Sequence, residues 1–424
     1  MPTMAQKIVT QHRQSEIHGE TVIALDRVFC HEITTPAAIR MLEARHASKP
    51  FDAPKVKAIL DHVTPSKDSQ SAQQAQVLRQ WSNQHGVEFF DVGHNGVCHV
   101  VFSERGFVHP GMTVVMGDSH TCTYGAWGAL AFGIGTTELA VAMARGIVAM
   151  PDPQSIRVEL QGTRAPGVEA KDVALAVVRH FGQKGATGFV LEFVGEAVHA
   201  MDMEERATLC NMVVECGATT GICPVDAVTV AYAKACGISV QASMVDTWMQ
   251  CNSDADATYA KTITMDVGRL VPVTTVGTSP DQVVPMTEVP YTPVQQVWIG
   301  SCTNGRIGDL RRAAAIVRGK QIAPGVRAIV TPASTEIWKQ AMAEGLFTDF
   351  ANAGFCVTSP GCGACIGMSG GVLAPGEVCA STSNRNFAGR MGAGGMVHLM
   401  SPSSAAQVAL QGYMGIPKGE FVCE

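Results

Sequence analysis

Three cysteines have the spacing of a metal or cluster site. Cys302 lies in Gly-Ser-Cys-Thr-Asn, and Cys362 and Cys365 form a Cys-x-x-Cys pair. Three thiolates leave one ligand position unfilled, and in catalytic metal sites such a position binds substrate or water. A structural zinc site is normally closed by a fourth Cys or His. The number of cysteines therefore favours a catalytic site.

A single Cys-x-x-Cys pair also permits two other interpretations, a redox pair and a structural zinc site. Pro360, Gly361 and Gly363 surround the pair, which predicts a loop and disfavours the helix start that is typical of redox pairs. No nearby second pair or His-x-x-x-His motif supplies further zinc ligands. An iron–sulfur cluster held by three thiolates, with one iron exposed, fits these residues better.

Acidic and histidine side chains occur together in two further segments, and a third segment contains His99 without an acid. A lone histidine is more often a core or surface residue than a functional one. A carboxylate beside an imidazole raises its pKa and fixes its tautomer, as a general acid requires. The alternatives are a loop whose acid and serine bond to backbone groups and, for the first dipeptide, a surface helix end. The candidates are Asp61, His62, His99, Asp118, Ser119 and His120.

Two other segments could contact a substrate. Glu215 is a charge within the neutral stretch 210–220, so it needs a partner if it is buried. Arg385 and Arg390 lie near Asn384 on a loop with glycine, and arginine forks bind carboxylates in bidentate fashion. A solvated basic turn is the alternative interpretation of this loop.

Alternating strands and helices must position these residues. Segments 1–20 and 34–84 are predicted to be mainly helical, and strands are predicted near 112–116, 155–160, 188–194, 294–299, 328–330 and 355–358. The proline-rich segment 279–295 predicts an interdomain linker, and Ser401-Pro402 predicts the start of a last helix. This alternation predicts an α/β fold with mostly parallel sheets, in which ligands bind beyond the carboxyl ends of strands.

Composition limits the compartment and the partners. The chain has 424 residues, 46% of them hydrophobic and 16% charged, which predicts several globular domains. A net charge of −6 gives no reason to expect nucleic acid or membrane as a partner. Fourteen cysteines are too few for a disulfide scaffold, and residues 1–20 do not resemble a signal peptide. We therefore expect reduced thiols and a cytoplasmic protein.

The order of the motifs resembles the aconitase superfamily of iron–sulfur hydro-lyases over essentially the whole chain. The motifs that carry the resemblance are Ser-Cys-Thr-Asn, Cys-x-x-Cys, Gly-Asp-Ser-His-Thr, Cys-Asn-Met-x-x-Glu-x-Gly-Ala-Thr-Thr and Asn-Arg-Asn-Phe-x-Gly-Arg. The resemblance implies three-layer α/β/α subdomains with mostly parallel sheets around a central iron–sulfur site. Their expected ranges are 1–163, 164–286 and 287–424, and the third carries the cluster cysteines and a C-terminal helix.

The resemblance also implies roles for the candidate residues. Cys302, Cys362 and Cys365 would bind one [4Fe–4S] cluster per subunit, and its iron without a thiolate would act as a Lewis acid. Asn384 would touch the cluster sulfurs, and Arg385 and Arg390 would bind substrate carboxylates. His31, which takes the position of a glutamine in aconitase proper, and Ser119 would bind substrate. The residues expected to handle the leaving hydroxyl and water are Asp61, His62, His99, Asp118 and His120, with Glu215 orienting these groups and Asn211 assisting.

One branch of this family matches best, namely the branch in which the last domain of aconitase is a separate polypeptide. Segment 31–36 and the motif Ser-Cys-Thr-Asn-Gly-Arg carry this likeness, and too few residues follow 401–412 for that domain. The resemblance implies a small swivel-domain subunit that supplies the catalytic base and part of the pocket. The implied reaction interconverts 2- and 3-isopropylmalate through isopropylmaleate in leucine biosynthesis. The alternative is a related two-subunit hydro-lyase for another small dicarboxylate, such as maleate, 2,3-dimethylmalate or homoaconitate.

Two other classes of protein remain as alternatives. An RNA-binding sensor of cluster loss is disfavoured by the negative net charge and the lack of basic runs. An interaction subunit stabilised by zinc and without turnover would be colourless and would contain stoichiometric zinc.

Overall fold

The carboxyl ends of one parallel sheet carry the first group of candidate residues. The computed structural model describes residues 1–415. Its first region is a five-stranded parallel sheet of order β5-β4-β3-β6-β7 beside a three-stranded antiparallel sheet, β1-β2-β8. The elements are α1 Met4–His12, β1 Arg13–Ile17, β2 Glu20–Ala24, β3 Arg27–His31, α2 Thr35–Glu43, a 3-10 turn Ala53–Lys55, β4 Val56–Ile59, α3 Ser69–His85, β5 Glu88–Phe90, α4 Cys98–Glu104, β6 Thr113–Met116, a 3-10 helix Ser119–Trp127, β7 Leu130–Gly133, α5 Thr136–Arg145 and β8 Ile147–Met150.

A second region has a four-stranded parallel sheet of order β11-β10-β9-β12. A two-stranded antiparallel pair, β13-β14, follows it. The elements are β9 Gln154–Gln161, α6 Ala170–Phe181, β10 Phe189–Val194, α7 Glu196–His199, α8 Met203–Asn211, a 3-10 helix Met212–Cys216, β11 Thr220–Ile222, α9 Ala227–Ala235, α10 Ala242–Gln250, β12 Lys261–Asp266, a 3-10 turn Val267–Arg269, β13 Val273–Thr275, β14 Val283–Pro285 and a 3-10 turn Met286–Glu288.

The third region is another five-stranded parallel sheet, of order β18-β17-β16-β19-β20, with a short antiparallel pair, β15-β21. Its last helix begins at Pro402, as predicted. The elements are β15 Thr292–Pro293, β16 Gln296–Ile299, α11 Ser301–Asn304, α12 Ile307–Val317, β17 Arg327–Val330, α13 Thr335–Ala343, α14 Leu346–Ala353, β18 Cys356–Val357, a 3-10 turn Gly363–Ile366, β19 Val378–Ser381, β20 Met396–Leu399, α15 Pro402–Gln411 and β21 Tyr413–Met414.

One hydrophobic core joins the three regions. It includes Phe29 from the first sheet, Phe193 from the second, and Trp298 and Leu399 from the third, all fully buried. Burying apolar surface is the main favourable term in folding, so this shared core holds the three sheet edges against one another. Helix α6 lies within it, because its residues from Ala170 to Val178 are all buried. Most of these residues are Ala, Val or Leu, as expected for a helix buried on nearly every side, and the exceptions are Lys171 and Asp172.

The predicted α/β class with mostly parallel sheets is confirmed. The predicted secondary structure is wrong in particular segments. Within 34–84, the prediction of mainly helix is wrong at β4, and within 1–20 it is wrong at β1 and the start of β2. All four residues of β4 are buried, and periodicity alone cannot distinguish so short an apolar run from a buried helix. The predicted linker 279–295 contains β14 and β15.

The predicted division into three domains stays a prediction, but sheet membership bears on its first boundary. Strand β9 pairs with β10 and β12, so it belongs to the second sheet although it precedes residue 163. The end of the third range, 416–424, lies outside the described residues. No helix within 1–415 is both long and apolar enough to cross a bilayer.

Candidate active site

The carboxyl ends of the first and third sheets meet at the candidate site. Asp61 follows β4, Asp118 follows β6, and Cys302 follows β16. The two sheets touch directly here, because the backbone N–H of Cys362 donates to the carbonyl oxygen of Asp61 at 3.0 Å. The hydroxyl of Ser369 also donates to the carbonyl oxygen of His62 at 3.2 Å. This is where ligands bind in parallel α/β sheets.

The three cysteines of the sequence motif are all buried around this contact. Cys302 lies in the short helix α11, Cys362 directly precedes the turn Gly363–Ile366, and Cys365 lies within that turn. Burial, with the neighbouring Cys365 adding to it, raises the pKa of Cys302 to about 12. Burial likewise raises the pKa of Cys362 well above its usual value. These thiols therefore need a bound cation to become thiolates at neutral pH.

The surroundings of the cysteines fit an iron–sulfur cluster better than a single zinc ion. Tetrahedral Zn–S bonds of about 2.3 Å bring the sulfurs within about 3.8 Å of one another. Within residues 1–415, the three sulfurs do not form a group whose ligand atoms all lie within 4.8 Å of one another. Two buried amides also aim Nδ2 at Cys302 Sγ, Asn211 at 3.2 Å and Asn384 at 3.1 Å. N–H donors stabilise the negative sulfur that a cluster requires.

A chain of acids and imidazoles runs through the first sheet's end of the site. His62 Nδ1 lies in short hydrogen-bond contact with Asp61 Oδ1, and its Nε2 lies 3.4 Å from Asp118 Oδ2. Asp118 Oδ1 is 2.9 Å from His99 Nε2, and it accepts the backbone N–H of His120 at 2.7 Å. The structure thus brings together five residues that the sequence singled out in separate motifs.

The charges of these acids and imidazoles stabilise one another. Burial alone would raise the pKa of Asp61, but the adjacent His62 outweighs it and lowers that pKa. Burial also opposes the charge on His62, yet Asp61 and Asp118 hold the pKa of its imidazole well above the usual value. The pKa of Asp118 lies well below its usual value, because His99 and His62 outweigh its burial. His62 is therefore an imidazolium between two carboxylates, a group that can donate a proton.

A second group of charged side chains surrounds Glu215. Its Oε1 lies 2.9 Å from His120 Nε2 and 2.9 Å from Arg385 Nε, so the buried carboxylate has the partners that its burial demands. Arg385 is partly exposed, and the contact that it makes with Glu215 uses its Nε. The Nε of Arg390 is buried and has no hydrogen-bond partner among residues 1–415. Both arginines can therefore receive an anion.

Two residues predicted to bind substrate make their contacts within the protein. The ring of His31 stacks on that of His62 with centroids 4.4 Å apart, and its Nε2 lies 3.3 Å from the carbonyl oxygen of Gly117. Burial, with the nearby His62 adding to it, lowers the pKa of His31 to about 4, so this imidazole is neutral. Ser119 is partly buried, and its hydroxyl lies 3.4 Å from His120 Nδ1.

Two buried residues with ionisable side chains support the site and were not predicted from the sequence. Glu32 accepts backbone N–H groups from the segment that begins at Asp61. Lys171 donates to the carbonyl oxygens of Thr382 and Ser383, directly before Asn384. The available signals were an acid immediately after a buried strand and a lysine in the first turn of a mostly apolar helix. Each is a common pattern, and the bonds that give it meaning join distant parts of the chain.

Comparison with known proteins agrees with this geometry. A family model described as "Aconitase family (aconitate hydratase)" matches residues 6–412. The chain is 54% identical to the "3-isopropylmalate dehydratase large subunit" of Geobacter metallireducens, over 98% of this chain and 99% of that protein. It is 42% identical to the protein of the same name from Oleidesulfovibrio alaskensis, over 98% of this chain and 99% of that one.

A solved structure shares the architecture. The crystal structure of Thermococcus kodakaraensis aconitase X in its holo-form superposes with a TM-score of 0.51, at 13% identity. The match covers 92% of this chain and 86% of that chain. At this identity the likeness concerns the fold alone.

Proposed function

The chain belongs to the aconitase family, and from this premise we propose that it acts as the large subunit of a 3-isopropylmalate dehydratase. The reaction would interconvert 2- and 3-isopropylmalate by dehydration and rehydration through isopropylmaleate, a step of leucine biosynthesis. The observation that carries the proposal is identity of 54% to a large subunit of that name along nearly the whole of both chains. The acid–imidazole chain beside three buried cysteines supports the same chemistry.

Cys302, Cys362 and Cys365 are the residues that would hold one [4Fe–4S] cluster. When bound, the cluster supplies a Lewis acid for a substrate hydroxyl and carboxylate. Asn384 supports this arrangement, since its Nδ2 is 3.1 Å from Cys302 Sγ. Asn211 supports it as well, since its Nδ2 is 3.2 Å from the same sulfur and its Oδ1 accepts the hydroxyl of Thr303 at 2.7 Å.

The acid–imidazole chain would manage the leaving hydroxyl. We assign to His62 the proton that converts this hydroxyl into water, because Asp61 and Asp118 keep its imidazole charged. His99 would hold Asp118 in place through its Nε2, and its buried Nδ1 has no partner within residues 1–415. Glu215 and His120 would orient the hydroxyl or water from the opposite side.

Arginine forks would bind the two carboxylates of the substrate. Arg390 has a buried donor without a partner in the described part of the chain, and Arg385 keeps only its Nε on Glu215. A bidentate arginine fixes both the position and the orientation of a carboxylate. Ser119 and His31 would complete the pocket on the side of the first sheet.

A second subunit would supply what this chain lacks for the reaction. The relatives are named large subunits, which supports a small partner. In our proposal this partner is the swivel-domain subunit, and it contributes the base that removes the carbon-bound proton and part of the substrate pocket. We also propose a cytoplasmic location, where reducing conditions keep the cluster cysteines available.

A panel of diacids tests the substrate. The chain is reconstituted with iron and sulfide under anaerobic conditions, combined with its small subunit, and supplied separately with isopropylmalate, maleate, 2,3-dimethylmalate and homoaconitate. We expect the highest kcat/KM with isopropylmalate. A higher kcat/KM with another diacid would reassign the substrate, and turnover of none of them would contradict the proposed function.

A further inference from the structure

Glu32 is a buried carboxylate that the proposed reaction does not use. It follows His31 directly after β3 and is 0% exposed. Its Oε2 accepts the backbone N–H of Asp61 at 3.1 Å. Its Oε1 accepts the N–H groups of His62 at 2.8 Å and Val63 at 2.7 Å. One side chain thus binds three successive amides.

This arrangement fixes the backbone on which the acid–imidazole chain begins. Successive amides that converge on one acceptor group form a concavity that suits a carboxylate. Burial, with the nearby Asp61 adding to it, raises the pKa of Glu32 to about 7, and the backbone N–H groups of Asp61 and Val63 counteract this rise. The segment from Asp61 to Val63 has left β4, so no strand pairing holds it. Glu32 holds it in place of a neighbouring strand.

The segment held by Glu32 contacts both parts of the site. The carbonyl oxygen of Asp61 accepts the N–H of Cys362, and its Oδ2 accepts the N–H of Cys98 at 3.2 Å. The same segment presents the ring of His62 to Asp118. A shift of this backbone would therefore move the proton donor relative to the cysteine loop.

The contacts of Glu32 favour backbone binding over metal binding. His31, Glu32, Asp61 and His62 form a group with ligand atoms within 4.8 Å of one another. However, both oxygens of Glu32 already accept backbone N–H groups, and Asp61 Oδ1 is bound to His62. Because both oxygens of Glu32 accept backbone N–H groups, its contacts are with the backbone of residues 61–63.

We propose that Glu32 is a positioning residue, which orients His62 for proton transfer by holding the amides of residues 61–63. This inference rests on the proposed function for its kinetic consequence. Its structural consequence, protection of those three amides, does not depend on any substrate.

The test compares Glu32→Gln with Glu192→Gln in the iron-loaded two-subunit complex. The amide of a glutamine presents N–H donors where Glu32 has only acceptors, so at least one backbone N–H loses its partner. Glu192 is a matched control because it is also a buried carboxylate and lies on β10 of the second sheet. It accepts one backbone N–H and three hydroxyl groups. Glu32→Asp, which keeps the charge but shortens the reach, serves if Glu32→Gln does not fold.

We expect Glu32→Gln to lower kcat per iron-loaded site about 10- to 100-fold with KM changed less than about threefold, as misplaced catalytic groups do. Amide hydrogen exchange of residues 61–63, measured by mass spectrometry without substrate, should accelerate about tenfold or more. Glu192→Gln should change neither kcat per iron-loaded site nor the hydrogen exchange of residues 61–63. Unchanged kcat per site or unchanged exchange in the Glu32 variants would overturn the inference. Absence of turnover by the unmodified complex would instead contradict the proposed function, and the exchange measurement would still decide the structural part.

Discussion

At the residue scale, burial and neighbouring charge decide which groups in the site carry protons. The pKa of His62 is raised by two carboxylates, whereas that of the neighbouring His31 is lowered to about 4, chiefly by burial. Of two stacked imidazoles, one is therefore charged and the other neutral, and the charge suits His62 for proton donation. The cysteines are the complementary case, since burial keeps their thiols neutral until a cation binds.

The cysteine motif predicts a specific effect on iron content. We expect Cys362→Ser to retain far less than the roughly four irons per chain of a complete cluster, because a serine hydroxyl replaces a thiolate ligand. The matched control is Cys356→Ser, since Cys356 is exposed and lies on β18 shortly before the same loop. Iron assay and visible absorption after anaerobic reconstitution measure the outcome. Equal iron in the two variants would refute a role for Cys362 as a ligand.

The pair His12–Asp26 predicts a pH dependence of stability away from the site. His12 Nε2 lies 2.8 Å from Asp26 Oδ2. Burial opposes both charges, but the pair outweighs it, so the pKa of His12 is raised and that of Asp26 is lowered. The raised histidine pKa stabilises the fold below about pH 6.5, and this is lost as pH rises through the folded pKa. The lowered aspartate pKa stabilises above about pH 3.9 and is lost as pH falls further.

We therefore expect His12→Asn to destabilise the protein most between about pH 4 and 6.5, by about 1 kcal/mol, and less at pH 8. Thermal melting across this range measures the difference. His18→Asn is the control, because His18 is exposed and its left-handed backbone (φ 52°) suits asparagine. A destabilisation by His12→Asn that is independent of pH would show that the ion pair is not its cause.

At the element scale, the site is assembled at strand ends, and this explains what the sequence could reveal. Cys302 is predictable from the spacing of the cysteines, and Asp118 from its position after a recognisable apolar strand, since such strands predict a ligand-binding edge. Asp61 also follows a strand, but β4 is four residues long and was mistaken for helix. The contacts of Glu32 could not be predicted, because they join β3 to the segment after β4 through backbone amides that have no sequence signature.

Lys171, which lies in helix α6 and is completely buried, is predicted to stabilise the fold and the loop that carries Asn384. The ammonium of Lys171 lies 2.5 Å from the carbonyl oxygen of Ser383, 2.9 Å from that of Thr382 and 3.3 Å from Asn304 Oδ1. Lys171→Met would leave these acceptors without a donor, at a cost of about 1–3 kcal/mol each for groups that stay buried. We expect a lower melting temperature and faster loss of the cluster to a chelator, followed by absorbance.

Lys184→Met is the control for this prediction, because Lys184 is exposed and follows the same helix. It should leave both measurements unchanged. If Lys171→Met lost the cluster no faster than Lys184→Met, the lysine would not support the loop that carries Asn384.

At the scale of the whole molecule, the first and third parallel sheets meet at one place with a helical segment of the second region, and each contributes different chemistry. The first sheet presents the acids and imidazoles, the third presents the cysteines and arginines, and the second region contributes Glu215 and Asn211. The α/β class and the grouping of these motifs could be predicted from the sequence, because parallel strands expose their carboxyl ends together. The membership of β9 in the second sheet could not, since β9 pairs with strands that lie further along the chain.

The formation of isopropylmaleate from isopropylmalate, followed by its absorbance, tests the central claim most directly. The assay uses the anaerobically reconstituted chain with its small subunit, the chain alone, and the Cys362→Ser variant with the small subunit. We predict turnover only when the iron-loaded chain and the small subunit are both present. Turnover without the small subunit, or turnover undiminished by Cys362→Ser, would contradict the account.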